Sequence, residues 1–85
     1  MTTEQLRQLI ESGLDGAEAQ VRSPDEVHFE AVVVASAFEG RRTIQRHQMI
    51  YSILGDRVGD EIHALSMRTL TPAEWAEVSG GGAGE

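Results

Sequence analysis

Three histidines are the side chains of this chain best suited to chemistry, and each lies in a different setting. His28 begins a valine-rich run, His47 lies within a helical pattern, and His63 follows a Gly-Asp-Glu loop. A neutral imidazole is a good metal ligand, and its charge changes near neutral pH. If the strands that begin at His28 and near His63 pair with each other, the two histidines could lie near one another at one edge of the sheet. Two histidines would still leave a metal site incomplete, because zinc usually takes three or four protein ligands. An incomplete site of this kind indicates a metal site shared with a second protein across an interface, rather than one held by this chain alone.

The other candidate ligands are few. The chain has no cysteine, which excludes disulfides, thiol catalysis and an iron–sulfur cluster held by four of its own thiolates. Asp25 and Glu26 lie just before His28 and could add oxygen ligands, although acidic residues in a turn are ordinarily just solvated. No phosphate-binding loop, HExxH or GxSxG motif is present, and we expect no catalysis.

The hydrophobic pattern predicts the elements that position these residues. A helix capped by Thr2 or Thr3 comes first, and Gly13 and Gly16 mark its exit. The strands are predicted at 17–22, 28–34 and 62–69, the second helix at 43–57, and a last helical turn at Pro72. With so few elements, the simplest core is an α+β sandwich with helices on one face of a three-stranded sheet. Residues 1–78 form the predicted domain, and the glycine-rich residues 79–85 a disordered tail.

The second helix has one predicted buried face. At about 100° per residue, that face contains Ile44, Ile50, Tyr51, Leu54 and Val58. His47 falls in its middle, which predicts a buried, neutral histidine hydrogen-bonded to backbone or to Tyr51. Its predicted role is therefore structural.

A mixed basic and apolar surface is predicted on the opposite face of this helix and at its start. Its members are Arg41, Arg42, Arg46, Met49 and Ile53. The helix dipole disfavours positive charge at this end, so the cluster is either a solvated face or a contact for an anion or an acidic partner. An exposed apolar pair beside it would extend a binding surface, unless the C-terminal turn with Trp75 covers the pair.

Charge and hydropathy restrict the partners and the compartment. The formal net charge is −7, and all seven basic residues are arginine. Such a surface repels phosphate backbones, so sequence-independent binding to nucleic acid should be weak. No apolar run is long enough to span a membrane, and no signal-peptide pattern is present. We expect a soluble cytoplasmic protein with no membrane association.

Most of the chain resembles the BolA family, in particular its YrbA-like (IbaG-like) branch. The resemblance rests on three consecutive segments: HFEAVVVASAFEG at 28–40, RRTIQRHQMIYSIL at 41–54 and IHALSMRTLTPAEW at 62–75. It implies an αββαβ topology with a mixed three-stranded sheet, similar to the type II KH fold, followed by a short helix. It also implies binding to a monothiol glutaredoxin, with a [2Fe–2S] cluster shared between the two proteins and glutathione, and a role in iron–sulfur delivery or iron regulation.

The resemblance also implies which residues bind the cluster. The histidine of the IHAL segment, His63, is the expected ligand, and His47 belongs to the family's Arg-His pair. The second family ligand is usually a histidine or cysteine between the first two strands. Here that loop is short and has Asp25 where a cysteine commonly lies, so His28 is the nearest candidate. Histidines replace two cysteines in Rieske centres in the same way.

BolA-like proteins have also been linked to transcription, which leaves an alternative function as a nucleic-acid-binding regulator. The KH-like fold favours that alternative. The net charge of −7 opposes it, as does the lack of the GxxG loop with which KH modules clamp a nucleic-acid backbone.

Overall fold

The computed structural model describes residues 1–80. Along the chain the elements are α1 (Thr3–Gly13), β1 (Glu18–Arg22), β2 (His28–Val34), α2 (Thr43–Leu54), β3 (Ala64–Leu70) and α3 (Pro72–Trp75). The predicted αββαβ order with a short C-terminal helix is confirmed. A π-helical turn, Ala76–Gly80, extends α3, so Ser79 and Gly80 of the predicted tail belong to this turn. Residues 81–85 of that tail lie outside the described residues.

The three strands form one mixed sheet in the order β1-β2-β3. β1 and β2 are an antiparallel hairpin, whereas β2 and β3 are parallel and are connected through α2. A parallel pair needs such a crossover, and a helix usually supplies it. Because the register pairs His28 with Ala64 and Val34 with Leu70, β2 and β3 begin at the same side of the sheet and finish at the opposite side. We call these two sides, which run across the strand ends, the edges of the sheet.

Local sequence signals account for the helix ends. Thr2 caps α1 through a reciprocal capping box with Gln5, which satisfies two backbone donors that the first turn leaves open. Thr71 and Glu74 form the same motif at α3, with Pro72 in its first turn. At the exit of α1, Gly16 has a φ of 69°, a left-handed conformation that glycine adopts without steric cost.

The core lies between α1, α2 and one face of the sheet. The strand residues that face the helices alternate with exposed ones, as in Phe29, Ala31 and Val33 of β2. This alternation is what a half-buried sheet requires. The helices contribute mainly Leu6, Ile10, Ile50 and Leu54, and Phe38 completes the cluster from the β2–α2 connection.

The orientation of α2 differs from the predicted one. Ile44 is 65% exposed and Tyr51 is 40% exposed, whereas Ile50 and Leu54 are fully buried. The predicted face also included Val58, but the helix ends at Leu54 and a 3₁₀ turn follows. Ile50 and Leu54 are buried as predicted, but the buried side of α2 is rotated away from Ile44 and Tyr51 toward Arg46.

The predicted surface on α2 is wrong for three of its five members. Met49 and Ile53 are partly buried against the core. Ile53 packs so closely on α1 that a Cβ added at Gly13 would lie 2.7 Å from its side chain. Arg46 is buried as well. Trp75 does not cover this pair, because it lines a cleft on the other sheet face with Val32 and Val34.

His47 is also placed differently from the prediction. It is half-buried and lies on the outward side of α2, between the exposed residues Ile44 and Tyr51. Within the described residues its ring forms no hydrogen bond to the backbone or to Tyr51. The buried-histidine prediction failed together with the predicted face, because both came from the same helical wheel.

Candidate functional site

The sheet edge at which β2 and β3 begin brings two of the three histidines together. His28 is the first residue of β2 and pairs with Ala64, the first residue of β3. His63 immediately precedes Ala64. The ring centroids of His28 and His63 are 6.3 Å apart, with an interplanar angle of 39°. Both residues are exposed. The strands pair, in parallel, and the two histidines are neighbours, as predicted for strands that pair.

A tight turn built around Asp25 positions His28. Oδ1 of Asp25 accepts hydrogen bonds from the backbone N–H groups of Val27, at 3.0 Å, and His28, at 2.9 Å. Its Oδ2 lies 2.7 Å from Nδ1 of His28. Ser23 closes the turn, because its hydroxyl accepts from the N–H of Glu26 and donates to the carbonyl of His28. One aspartate thus orders both the backbone and the ring of His28.

The electrostatics of this turn keep Asp25 ionised. The backbone N–H groups of His28 and Val27, together with the His28 ring, hold the pKa of the Asp25 carboxyl far below its usual range. Hydrogen bonds donated to a carboxylate stabilise its charged form. At neutral pH Asp25 is therefore an acceptor only.

His63 is held by its backbone. Its N–H donates to the carbonyl of Val27 at 2.8 Å, and the neighbouring Ile62 is fully buried. Ile62 also bonds through its N–H to the carbonyl of Arg57 and through its carbonyl to the N–H of Gly59. The His63 ring makes no side-chain hydrogen bond to the part of the chain that the structure describes. Its backbone is fixed, and its ring is free to turn.

The two imidazoles at this exposed edge could supply nitrogen ligands to a metal cofactor. Residues 1–80 contain no group of three or more histidine, cysteine, aspartate or glutamate side chains that could hold a metal ion. The chain also has no cysteine to add. The donor set thus fits part of the coordination of a [2Fe–2S] cluster, with the remaining ligands supplied from outside, and does not fit a complete site within this chain.

The five predicted partner-binding residues do not form one surface. Arg41 and Arg42 are exposed just before α2, as predicted. Arg46 instead points inward and donates to the carbonyls of Arg41, at 3.0 Å, and Thr69, at 3.1 Å. It also pairs with Glu74 at 2.8 Å and lies 5.7 Å from the centre of the Phe38 ring. This network connects α2, β3 and α3 at the sheet edge opposite the histidines.

Two roles were missed by the sequence reasoning. Asp25 was interpreted either as an oxygen ligand or as a solvated turn residue. The available signal for its role was Ser-Pro-Asp followed by His three positions later, a spacing that suits side-chain bonds to the backbone two and three residues on. Glu74 was not singled out at all. Its bond with Arg46 holds its pKa below the usual value, and the Thr-Pro-x-Glu capping signature was the available signal.

Comparison with known proteins agrees with this architecture. The family described as BolA-like protein matches residues 6–74. The chain belongs to the BolA family. That assignment confirms the predicted resemblance, while the YrbA-like branch stays a prediction. Among solved structures, a BolA homologue from Coxiella burnetii superposes with a TM-score of 0.79 at 41% identity, covering 88% of this chain and 96% of the other.

Two relatives show the range of names in the BolA family. BolA-like protein 1 of Homo sapiens is 43% identical over 54 residues, or 64% of this chain and 39% of that protein. The DNA-binding transcriptional regulator BolA of Escherichia coli is 42% identical over 55 residues, or 65% of this chain and 52% of that protein. The matches thus cover roughly half or less of these relatives. No helix among the described residues is long and apolar enough to cross a membrane.

Proposed function

We propose that this BolA-family protein is an adaptor that binds a monothiol glutaredoxin and shares a [2Fe–2S] cluster with it. The observation that carries the proposal is the exposed His28–His63 pair, 6.3 Å apart between ring centroids, in a chain without cysteine. His63 and His28 would supply nitrogen ligands, and glutaredoxin and glutathione would supply thiolates. Imidazole ligation raises the potential of such a cluster relative to thiolate ligation.

The biological role in this proposal is iron–sulfur cluster trafficking or iron regulation in the cytoplasm. Two features of the histidine edge support it. The rings are exposed, so a second protein can reach them, and residues 1–80 offer no third ligand that would close the site. A cluster held by ligands from two proteins can be passed on when the complex separates, because this chain does not complete the coordination alone.

The direct test is anaerobic reconstitution of the cluster on a mixture of this protein, a monothiol glutaredoxin and glutathione. We expect a visible circular dichroism spectrum that differs from that of the glutaredoxin homodimer, and His63→Ala should abolish the difference. His47→Ala is the matched control, because it removes an imidazole from α2 and should leave the spectrum unchanged. A heterocomplex spectrum that is the same with and without His63 would remove this residue as a ligand.

DNA binding is the second candidate, and the name of the Escherichia coli relative favours it. Arg41 and Arg42 are exposed at the start of α2 and could contact phosphates, although the net charge of −7 opposes binding. A titration of duplex DNA at two salt concentrations tests this function. Each phosphate contact should change the slope of log K against log salt by about −0.9. Absence of binding at low salt would exclude this candidate.

A further inference from the structure

The two histidines of the candidate site differ in how their rings are held. The His28 ring is bonded to Asp25 through Nδ1 at 2.7 Å, and the Asp25 carboxylate is itself anchored by two backbone N–H groups. The His63 ring has no comparable partner within residues 1–80. One imidazole is therefore oriented before any ligand arrives, while the other is not.

The bond to Asp25 determines which nitrogen of His28 is available. A neutral imidazole carries one proton, and the nitrogen that donates cannot also coordinate a metal. Because Nδ1 faces a carboxylate oxygen, the proton resides there and Nε2 keeps its lone pair. A carboxylate behind a ligating histidine also makes the imidazole more basic, and loss of such a partner typically lowers metal affinity about 10–100-fold.

We propose that Asp25 is a positioning residue that holds His28 in the Nδ1–H tautomer and leaves Nε2 as the ligating atom. His63 then acts as the adjustable ligand, whose ring turns to complete the pair. The tautomer stands on the turn geometry alone, whereas the ligand role of Nε2 rests on the proposed cluster-binding function. Asp25 does not coordinate the group, since both of its oxygens are already used by the turn and by the His28 ring.

Asp25→Asn changes the hydrogen bond to the His28 ring and keeps the backbone conformation of the turn. The Oδ1 of asparagine can still accept from Val27 and His28, so the turn is retained. Its Nδ2 can only donate, so it would present a hydrogen to Nδ1 of His28 and move the ring proton to Nε2. Asp15→Asn is the matched control, because it removes the same charge from an exposed residue near the opposite edge of the sheet.

Long-range proton–nitrogen NMR of the full chain without metal reads the tautomer directly. At a pH where His28 is neutral, we expect the Nδ1–H pattern in the original protein and in Asp15→Asn, and the Nε2–H pattern in Asp25→Asn. An Nε2–H pattern for His28 in the original protein would overturn the inference. This measurement involves no cluster, so it does not depend on the proposed function.

Zn²⁺ titration of the isolated protein, followed by the histidine NMR signals, provides the second readout. Asp25→Asn should bind Zn²⁺ about 10–100-fold more weakly, and Asp15→Asn should bind as the original does. Equal affinity for all three proteins would overturn the positioning role even if the tautomer changes as expected. If the NMR and Zn²⁺ results hold and no glutaredoxin heterocomplex cluster forms, the inference is supported while the proposed function fails.

Discussion

The parallel strands β2 and β3 have a polar cluster at each edge of the sheet, and the two clusters differ in what their side chains bind. The closed end consists of Arg46, Thr69, Thr71 and Glu74, where the strands finish. The open end consists of Asp25, His28 and His63, where the strands begin. Both contain charged or titratable groups, so composition does not distinguish them.

The difference lies in how many hydrogen-bonding positions remain unused. At the closed end, Arg46 is buried and its guanidinium bonds to two carbonyls and to Glu74. Buried charges need this degree of pairing, and the network stabilises the junction of α2, β3 and α3. At the open end, Asp25 is fully bonded, but the exposed histidine rings retain nitrogens without partners among the described residues. A polar cluster whose charged groups are paired within the protein supports the fold, whereas one that leaves ligating atoms exposed is a candidate for function.

The largest expected effect comes from breaking the closed end with Arg46→Met. The substitution keeps a long side chain and removes the donors to Thr69 and Arg41. We expect the free energy of unfolding to fall by about 2–4 kcal/mol, because an unsatisfied buried carbonyl costs about 1–3 kcal/mol and bonds to charged groups contribute about 1.5–3 kcal/mol. Urea unfolding followed by far-ultraviolet circular dichroism measures it.

Arg41→Met is the control for this experiment, since the Arg41 side chain is exposed. Its effect should stay within about 0.5 kcal/mol, as for most surface substitutions. If Arg46→Met and Arg41→Met unfold at the same urea concentration, the closed end does not stabilise the fold and the comparison between the two ends fails.

A smaller effect of opposite sign is expected from Thr69→Val. The Oγ1 of Thr69 is buried and has no hydrogen-bond partner among the described residues. Valine has nearly the same shape and lacks the hydroxyl, so we expect the free energy of unfolding to rise by about 1 kcal/mol. Thr71→Val is the matched control, because that hydroxyl caps α3 by accepting from the N–H of Glu74. Its loss should lower stability by about 1 kcal/mol. Two changes of the same sign would contradict this assignment.

The smallest expected effect on stability comes from His63→Ala at the open end. Because the ring is exposed and has no side-chain partner within residues 1–80, the free energy of unfolding should change by less than about 0.5 kcal/mol. Thermal unfolding of the variant measures this directly. A loss comparable to that of Arg46→Met would show that His63 supports the fold, which would remove the contrast between the ends.

Much of the fold could be predicted from the sequence because its signals are local. A valine-rich run predicted β2, a threonine cap predicted the start of α1, Pro72 predicted the start of α3, and glycine predicted the exit of α1. The candidate site could be predicted in part. His63 at the beginning of the last strand and His28 at the beginning of β2 were expected to be neighbours only if those strands pair, and strand pairing is not encoded in either segment alone.

The rotation of α2 could not be predicted in this way. A helical wheel compares residues within one helix only, and this one also counted Val58, which lies beyond the end of α2 at Leu54. Ile44 and Tyr51 were assigned to the core, and Met49 and Ile53 to the surface, with the opposite result in the structure. What determines the rotation is the contact of Ile53 with Gly13 and the attachment of Arg46 to β3, both between distant parts of the chain.

The sequence by itself determined the elements, the absence of thiolates and the identity of the side chains that can coordinate a metal. Those properties depend on residue type and on neighbours within a few positions, which local physical chemistry describes well. Only the tertiary structure decided which face of α2 is buried and that Arg46 is a structural residue. It also decided that the ring centroids of His28 and His63 lie 6.3 Å apart. These depend on packing and on strand register, because each requires the simultaneous placement of segments far apart in the chain.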